Sequence, residues 1–327
     1  MCESPTLYRG FVPPPRTEEI AQDVFATIHP DGSWGLSNAG FVKGADGVAV
    51  VDSLLTEGRT RNFIEEIRRR AGQTPVRYLI NTHYHCDHTY GNQLFDGATI
   101  IGHPDCRDRM VATGLAPTRR DPFVPWGDIR ICPPTLTFEG RLKLFVGDTE
   151  LELIQVGPAH TTHDVIVWLP RSRVLFTGDV LFTDATPILT DGSLTGSLAA
   201  LDLMTSLDPD VIVPGHGELT DLSQVRAWRS YFDFLGGVAT RAAAAGEHPL
   251  DVARDLDLGG FARWQHPDRI VLNLHRAIAE AAGAAPGAPL DGEQIFGDML
   301  RHNPHAYGHK LIDGSESYVD RPRLQEA

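Results

Sequence analysis

At 327 residues with 42% hydrophobic content, the chain is long enough for one large domain or two modest ones and has the apolar share of an ordinary packed core. Its formal charge of −14 argues against nucleic acid as a partner, because a phosphate-tracking surface needs a local surplus of Lys and Arg. No stretch approaches the roughly 18 apolar residues that span a bilayer, residues 1–16 lack a basic segment followed by an apolar core, and Cys2, Cys86, Cys106 and Cys132 show no C-x-x-C spacing, so a cytoplasmic protein with no membrane partner and no disulfide framework is expected.

Short apolar, β-branched runs punctuated by glycine and proline predict strands over 24–28, 38–42, 48–51 and 76–80. Between the last two, residues 59–71 set Phe63, Ile64 and Ile67 at helical spacing opposite a charged face, which predicts an amphipathic helix. A second round follows, with strands expected over 99–102, 142–145, 151–156, 165–169, 174–177 and 211–214. Strands interleaved with helices define an α/β class. Within 116–135, Pro117, Pro122, Pro125, Pro133 and Pro134 exclude regular helix and central strand, so a loop lying over the body is expected. Helices are predicted over 197–207, 222–245 and 267–282, followed by an Ala, Gly and Pro-rich linker at 283–289, a short element at 292–301 and a loose tail. The chain thus divides into a catalytic domain over 18–245, a helical extension packed on it over 246–301, and a tail over 302–327.

The chemistry concentrates after the strand at 76–80, where His83-Tyr84-His85-Cys86-Asp87-His88 places four metal-ligand side chains within six positions. In extended chain, residues two apart point to one side, so His83 and His85 can grip one cation while Asp87 and His88 turn toward a second. Further ligands are expected at strand ends converging on the same edge. Three occur, each with glycine nearby: His160 in Gly157-Pro158-Ala159-His160, Asp179 after Gly178, and His216 between Gly215 and Gly217. A lone histidine after a strand is usually an ordinary surface or core residue. The ordered set is what carries the signal.

That set resembles the motifs of the metallo-β-lactamase superfamily, with Asp52 after the strand at 48–51, then His83-x-His85-x-Asp87-His88, His160, Asp179 and His216. The resemblance implies a four-layer αβ/βα sandwich with extra C-terminal helices and two metals at one edge. His83, His85 and His160 would hold the first ion, Asp87, His88 and His216 the second, and Asp179 would bridge. Asp52 would orient a ligand imidazole. His163 competes with His160, but His160 stands in the family's G-x-x-H-T position, which leaves His163 either lining the pocket or serving as an ordinary polar residue. Cys86 falls where the family varies and is expected to stand beside the site without ligating.

Two divalent ions about 3.5 to 4 Å apart can share a hydroxide that is deprotonated near neutral pH and attacks an acyl carbon. Asp87 would position it or shuttle its proton. No G-x-S-x-G elbow offers a serine nucleophile instead. By the resemblance, Asp179 disfavours lactam cleavage, whose zinc enzymes typically place Cys or Ser there, and points to thioester or lactone chemistry. The oxygen and nitrogen ligand set fits zinc first, with iron or manganese as alternatives.

Residues 18–300 bear a closer resemblance to the metallo-β-lactamase-fold cyclases of bacterial aromatic polyketide pathways, the actinorhodin type. It rests on Trp34-Gly35-Leu36-Ser37-Asn38-Ala39-Gly40, Thr113-Gly114-Leu115-Ala116, residues 157–165, Trp168-Leu169-Pro170 and Asn273-Leu274-His275-Arg276-Ala277. It implies a zinc enzyme that releases a partly cyclised polyketide from an acyl carrier protein by thioester hydrolysis coupled to ring closure. Cys86 and the tail at 302–327 depart from that pattern. Trp126 and Phe123 are candidate apolar walls for such a substrate, and Arg119 or Arg120 a candidate contact for an anion or phosphopantetheine. The C-terminal helices are open to two roles, capping the pocket or forming a homodimer interface. A lactonase or glyoxalase-like thioesterase of general metabolism, and a diiron redox enzyme on the same ligands, are the rival readings.

Overall fold

Side chains that alternate with a period of two decide which face of each strand meets which partner. The computed structural model describes residues 15–120, 124–304 and 306. Seven strands form the first sheet in chain order: β1 (Arg16–Ala21), β2 (Val24–Ile28), β3 (Ala39–Lys43), β4 (Val48–Val51), β5 (Val76–Ile80), β6 (Thr99–Gly102) and β7 (Leu136–Thr137). β1 to β4 pair antiparallel and β4 to β7 parallel. The second sheet runs β12-β11-β10-β9-β8, from β8 (Arg141–Val146), β9 (Thr149–Gln155), β10 (Val165–Leu169), β11 (Val174–Phe182) and β12 (Val211–His216). Its last pair, β11 with β12, is parallel. The helices are α1 (Glu57–Ala71), α2 (Cys86–Thr89), α3 (Pro104–Thr113), α4 (Ala116–Arg120), α5 (Leu194–Leu207), α6 (Leu222–Ala245), α7 (Pro249–Asp255), α8 (Ile270–Ala281) and α9 (Gly292–His302).

In β10, Val165, Val167 and Leu169 face a core shared with Val24, Ile28 and Val51 of the first sheet. The alternate residues Ile166 and Trp168 join Trp228, Phe232 and Leu274 of α6 and α8. β2 shows the same split, since Phe25 turns away from the sheet interface to pack with Phe41, Phe63 and Ile67 beneath α1. The result is the expected four-layer sandwich, helix on sheet on sheet on helix. Each such fully buried side chain contributes about 1.5 to 3 kcal/mol relative to exposure. α7, α8 and α9 supply Ala253, Leu272, Ile295 and Met299 to the core that α5 and α6 already occupy. The C-terminal helices are therefore packed on the sandwich.

Asn38 ties the sheets together at the edge where the chemistry lies. Its Oδ1 accepts from the His29 N–H at 2.7 Å, and its Nδ2 donates to the carbonyl oxygens of Pro214 and Gly217 at 2.9 and 2.8 Å.

Three expectations need correction. Residues 116–135 open with α4 rather than running as pure loop, because Pro117 sits in the first turn, where its missing N–H has no helical partner to lose. β11 and β12 run past 177 and 214 to Phe182 and His216, so Asp179 and His216 stand within strands rather than beyond them. β1, α3 and α7 are elements that the apolar pattern did not signal. No helix among the described residues is long and apolar enough to cross a membrane. Cys86, Cys106 and Cys132 are free thiols.

Candidate metal centre

The ends of β4 and β5, the 157–164 loop and strands β11 and β12 meet at one edge of the sandwich. Glycine permits the closest approaches. Gly178 has φ +49° and a Cβ there would collide with the Thr82 side chain, while a Cβ on Gly215 would strike Asp179 Oδ1.

Two groups of donors converge there, His83, His85, His160 and Asp179 in one and Asp87, His88 and His216 in the other. In the first, His85 Nδ1 lies 3.0 Å from His83 Nε2 and 2.9 Å from His160 Nε2. Asp179 Oδ2 is 3.3 Å from His160 Nε2 and 3.7 Å from His83 Nε2. In the second, Asp87 Oδ2 is 3.3 Å from His216 Nε2 and 3.8 Å from His88 Nε2. Asp179 Oδ1 lies 3.0 Å from His88 Nε2 and 3.5 Å from His216 Nε2. The two oxygens of Asp179 therefore face different groups.

Outer partners set the tautomers. Asp52 accepts from the Thr82 N–H at 2.8 Å and from Thr82 Oγ1 at 2.7 Å, and its Oδ2 lies 2.8 Å from His88 Nδ1. Since a carboxylate only accepts, His88 Nδ1 carries a proton, which leaves Nε2 to present a lone pair inward whenever the ring is neutral. Thr82 Oγ1 gives its hydrogen to Asp52 and so accepts from His83 Nδ1, 3.1 Å away. His160 Nδ1 donates to the Ile188 carbonyl oxygen at 2.8 Å. That carbonyl sits in a loop gripped by α8, where Asn273 bonds Leu189 N and Pro187 O, and Arg276 bonds Leu189 O and Thr190 O. The C-terminal helices thus hold a ligand imidazole in place through one intervening loop.

The residues fit divalent cations. The donors are imidazole nitrogen and carboxylate oxygen, and His88 Nε2 and Asp179 Oδ1 are buried with no hydrogen-bond partner, a costly condition that a cation between them would relieve. Burial raises the proton affinity of Asp87 and Asp179, yet the surrounding histidines outweigh it and hold both carboxyls below the usual carboxylate range. Burial lowers His83, and lowers His160 to about 4, which keeps their nitrogens available as ligands. For His88 and His216 burial acts in the same direction, but Asp179 and its neighbours prevail and raise both.

His163 belongs to neither group. It is buried, stacks on His103 with ring centroids 5.9 Å apart, and its Nδ1 lies 3.0 Å from Thr162 Oγ1. Cys86 also stands outside both groups, and burial pushes its thiol well up, so it remains protonated. Asp164, which the sequence did not single out, shapes the ligand loop by accepting from the Ala159 and Thr161 N–H groups and from Thr161 Oγ1.

A cavity of about 280 Å³ opens onto Asp87, His160, Asp179 and His216. Trp126 borders it, and Arg120 borders it where Arg119 does not. Phe123 lies outside the described residues. Trp34, Tyr84, Tyr90, Phe182 and Phe296 complete an aromatic lining that strand and helix periodicity could not reveal. Tyr84 also donates its hydroxyl to Asp191 Oδ2 at 2.5 Å, and Arg109 lies 5.0 Å over its ring.

A two-sheet αβ/βα sandwich with cation donors gathered at one edge defines a class of metal-binding hydrolase folds. Residues 32–216 match the family model of the metallo-beta-lactamase superfamily, and the chain belongs to that superfamily. It is 28% identical over 230 residues to the 2,4-dinitroanisole O-demethylase subunit alpha of Nocardioides sp. (strain JS1661), covering 69% of this chain and 66% of that protein. It is also 28% identical over 151 residues to the metallo-beta-lactamase type 2 of Elizabethkingia meningoseptica, covering 46% of this chain and 55% of the relative. The chain thus spans 66% and 55% of the length of these two relatives. Among solved structures, a metallo-beta-lactamase from Pontibacter korlensis matches with TM-score 0.56 at 20% identity, covering 67% of this chain and 99% of that one. A stereoselective inverting sec-alkylsulfatase from Pseudomonas sp. matches with TM-score 0.67 at 17% identity, covering 82% of this chain and 50% of the other. Both likenesses speak to the fold.

Proposed function

We propose that the protein is a dinuclear metal-dependent hydrolase of an acyl thioester or ester whose acyl part is aromatic or polyketide-derived, acting in secondary metabolism. The observation that carries this reading is the placement of the two Asp179 oxygens toward separate donor groups. His83, His85 and His160 would hold one ion, Asp87, His88 and His216 the other, with Asp179 shared and zinc the best match to the donors. Bound there, the ions supply Lewis acidity and an activated water.

The chain's own residues do the rest. Asp87 borders the cavity with its side chain 13% exposed, against 5% for Asp179, which suits it to take a proton from water and return it to the leaving group. Asp52 keeps His88 in one tautomer. Trp126 and Phe296 line the cavity with apolar ring surface suited to a ring system and to excluding water around it. Delivery on an acyl carrier protein, a cytoplasmic location and division into a catalytic domain with a helical extension belong to the same proposal.

The test is metal analysis of the purified protein together with turnover of a 2-naphthoyl thioester of N-acetylcysteamine. Two zinc ions per chain are expected, with hydrolysis abolished by chelation and restored by zinc. Chelation-resistant hydrolysis, or a chain that takes up no metal, would defeat the proposal. A second reading, metal-dependent cleavage of an aryl ether, has the aromatic cavity and the likeness to the O-demethylase subunit in its favour. Release of nitrophenol from a nitroanisole, with the thioester untouched, would select it.

A further inference from the structure

Arg269, immediately before α8, lies beyond the residues that match the superfamily. It is 1% exposed, yet it borders the same cavity as Asp87, Asp179 and His216. Its guanidinium is held against two rings, 4.4 Å from the Trp34 centroid and 5.7 Å from that of Phe182. Nη1 donates to the Thr186 carbonyl oxygen at 3.1 Å, whereas Nε is buried with no partner. The carboxylates of Asp268, Asp179 and Asp87 act on it through their charge, but none among the described residues makes a contact ion pair with it.

Burying a guanidinium without an anion in contact is costly, and ring faces and more distant carboxylates offset only part of that cost. Burial lowers its proton affinity to about 10, so the charge persists at neutral pH. A clamp between Trp34 and Phe182 would be served as well by an apolar side chain. What an apolar side chain cannot offer is a charged group bordering a cavity that is otherwise lined by aromatic side chains.

We propose that Arg269 is the anion-recognising residue of this cavity and that the substrate is an aromatic or polyketide frame carrying an oxyanion, a carboxylate or ionised enol, remote from the bond that is cleaved. The inference rests on reading the cavity as the substrate site. It also gives the C-terminal extension a role in specificity, since the donor arrives on the turn that leads into α8 and not on the strands that carry the candidate ligands.

Calorimetric titration of the zinc-loaded, full-length protein with 2-naphthoate and with the neutral isostere 2-naphthamide tests it. The metals alone favour the carboxylate to some degree, so the informative quantity is the ratio of the two affinities in wild type against Arg269→Met. That ratio is expected to fall about tenfold in the variant, with zinc content and naphthamide affinity retained, as for loss of one charge-assisted hydrogen bond. An unchanged ratio overturns the proposal. Should the variant fail to fold, nitrogen-15 NMR of the arginine side chains in wild type decides: the Arg269 Nε–H resonance must move with naphthoate and stay with naphthamide, and a resonance that ignores naphthoate is fatal. The hydrolase reading fails separately, because a protein inert toward every thioester and ester yet showing the change in ratio leaves Arg269 in its assigned role.

Discussion

The floor and the wall of the cavity are built on different principles. The floor consists of seven His and Asp side chains from strands and the loops that follow them, three of which, His83, His88 and His160, are held by an outer partner: Thr82, Asp52 and the Ile188 carbonyl. The wall is a collection of aromatic and cationic groups from α4, the 124–131 stretch, the turn before α8, and α9, positioned largely by packing. The difference teaches that polar precision is concentrated where charge must be placed, and adaptable apolar area where a frame must be recognised.

The largest expected effect comes from breaking the floor. Asp179→Ala removes both oxygens that face the two donor groups, so affinity for metal should fall by more than about 100-fold, with hydrolysis lost and the fold retained. Metal content and circular dichroism check this. His160→Ala should behave similarly, whereas a His163 variant should keep its metal; full activity in the former with loss in the latter would reverse the assignment of the two histidines.

A smaller and graded effect is expected from pH. His88 and His216 would bind a cation in their neutral forms, yet their surroundings raise their proton affinity above the ordinary imidazole value. Protons therefore compete with cations, and affinity should weaken as pH falls, by about tenfold per unit for each proton that metal displaces. Competition with a chromophoric chelator between pH 6 and 8 reads the slope, and a flat profile would show that these two histidines do not ligate.

The smallest effect belongs to the wall. Trp126 touches Tyr90 with ring centroids 5.9 Å apart and borders the cavity. Trp126→Ala should raise KM about 2- to 10-fold with kcat little changed, as for loss of one aromatic contact. A fall in kcat with KM unaltered would move Trp126 from recognition into the chemistry.

This contrast also explains what could be read in the sequence. Ligand chemistry admits few residue types, so His83-x-His85-x-Asp87-His88, His160, Asp179 and His216 stood out before any coordinates, and the structure brings all seven together. The apolar runs of β2 and β10 were equally plain, because both faces of those strands are buried in apolar cores. β1 was missed because Arg16, Glu18 and Glu19 make it polar, and it is a partly exposed edge strand whose pairing with β2 carries it. Helix α4 was obscured by Pro117, which interrupts a pattern only when it falls beyond the first turn. Arg269 and Phe296 had no signal at all. Their role arises from how α8 and α9 pack against the sandwich, which no local pattern encodes.

Asn38 has a thermodynamic consequence. Its amide spans the two sheets at the point where β12 delivers His216, so the sheets are locked against sliding before any ion arrives. The conformational entropy of gathering distant side chains is lost when the chain folds and not when a cation is captured, and the cage meets its ion already shaped.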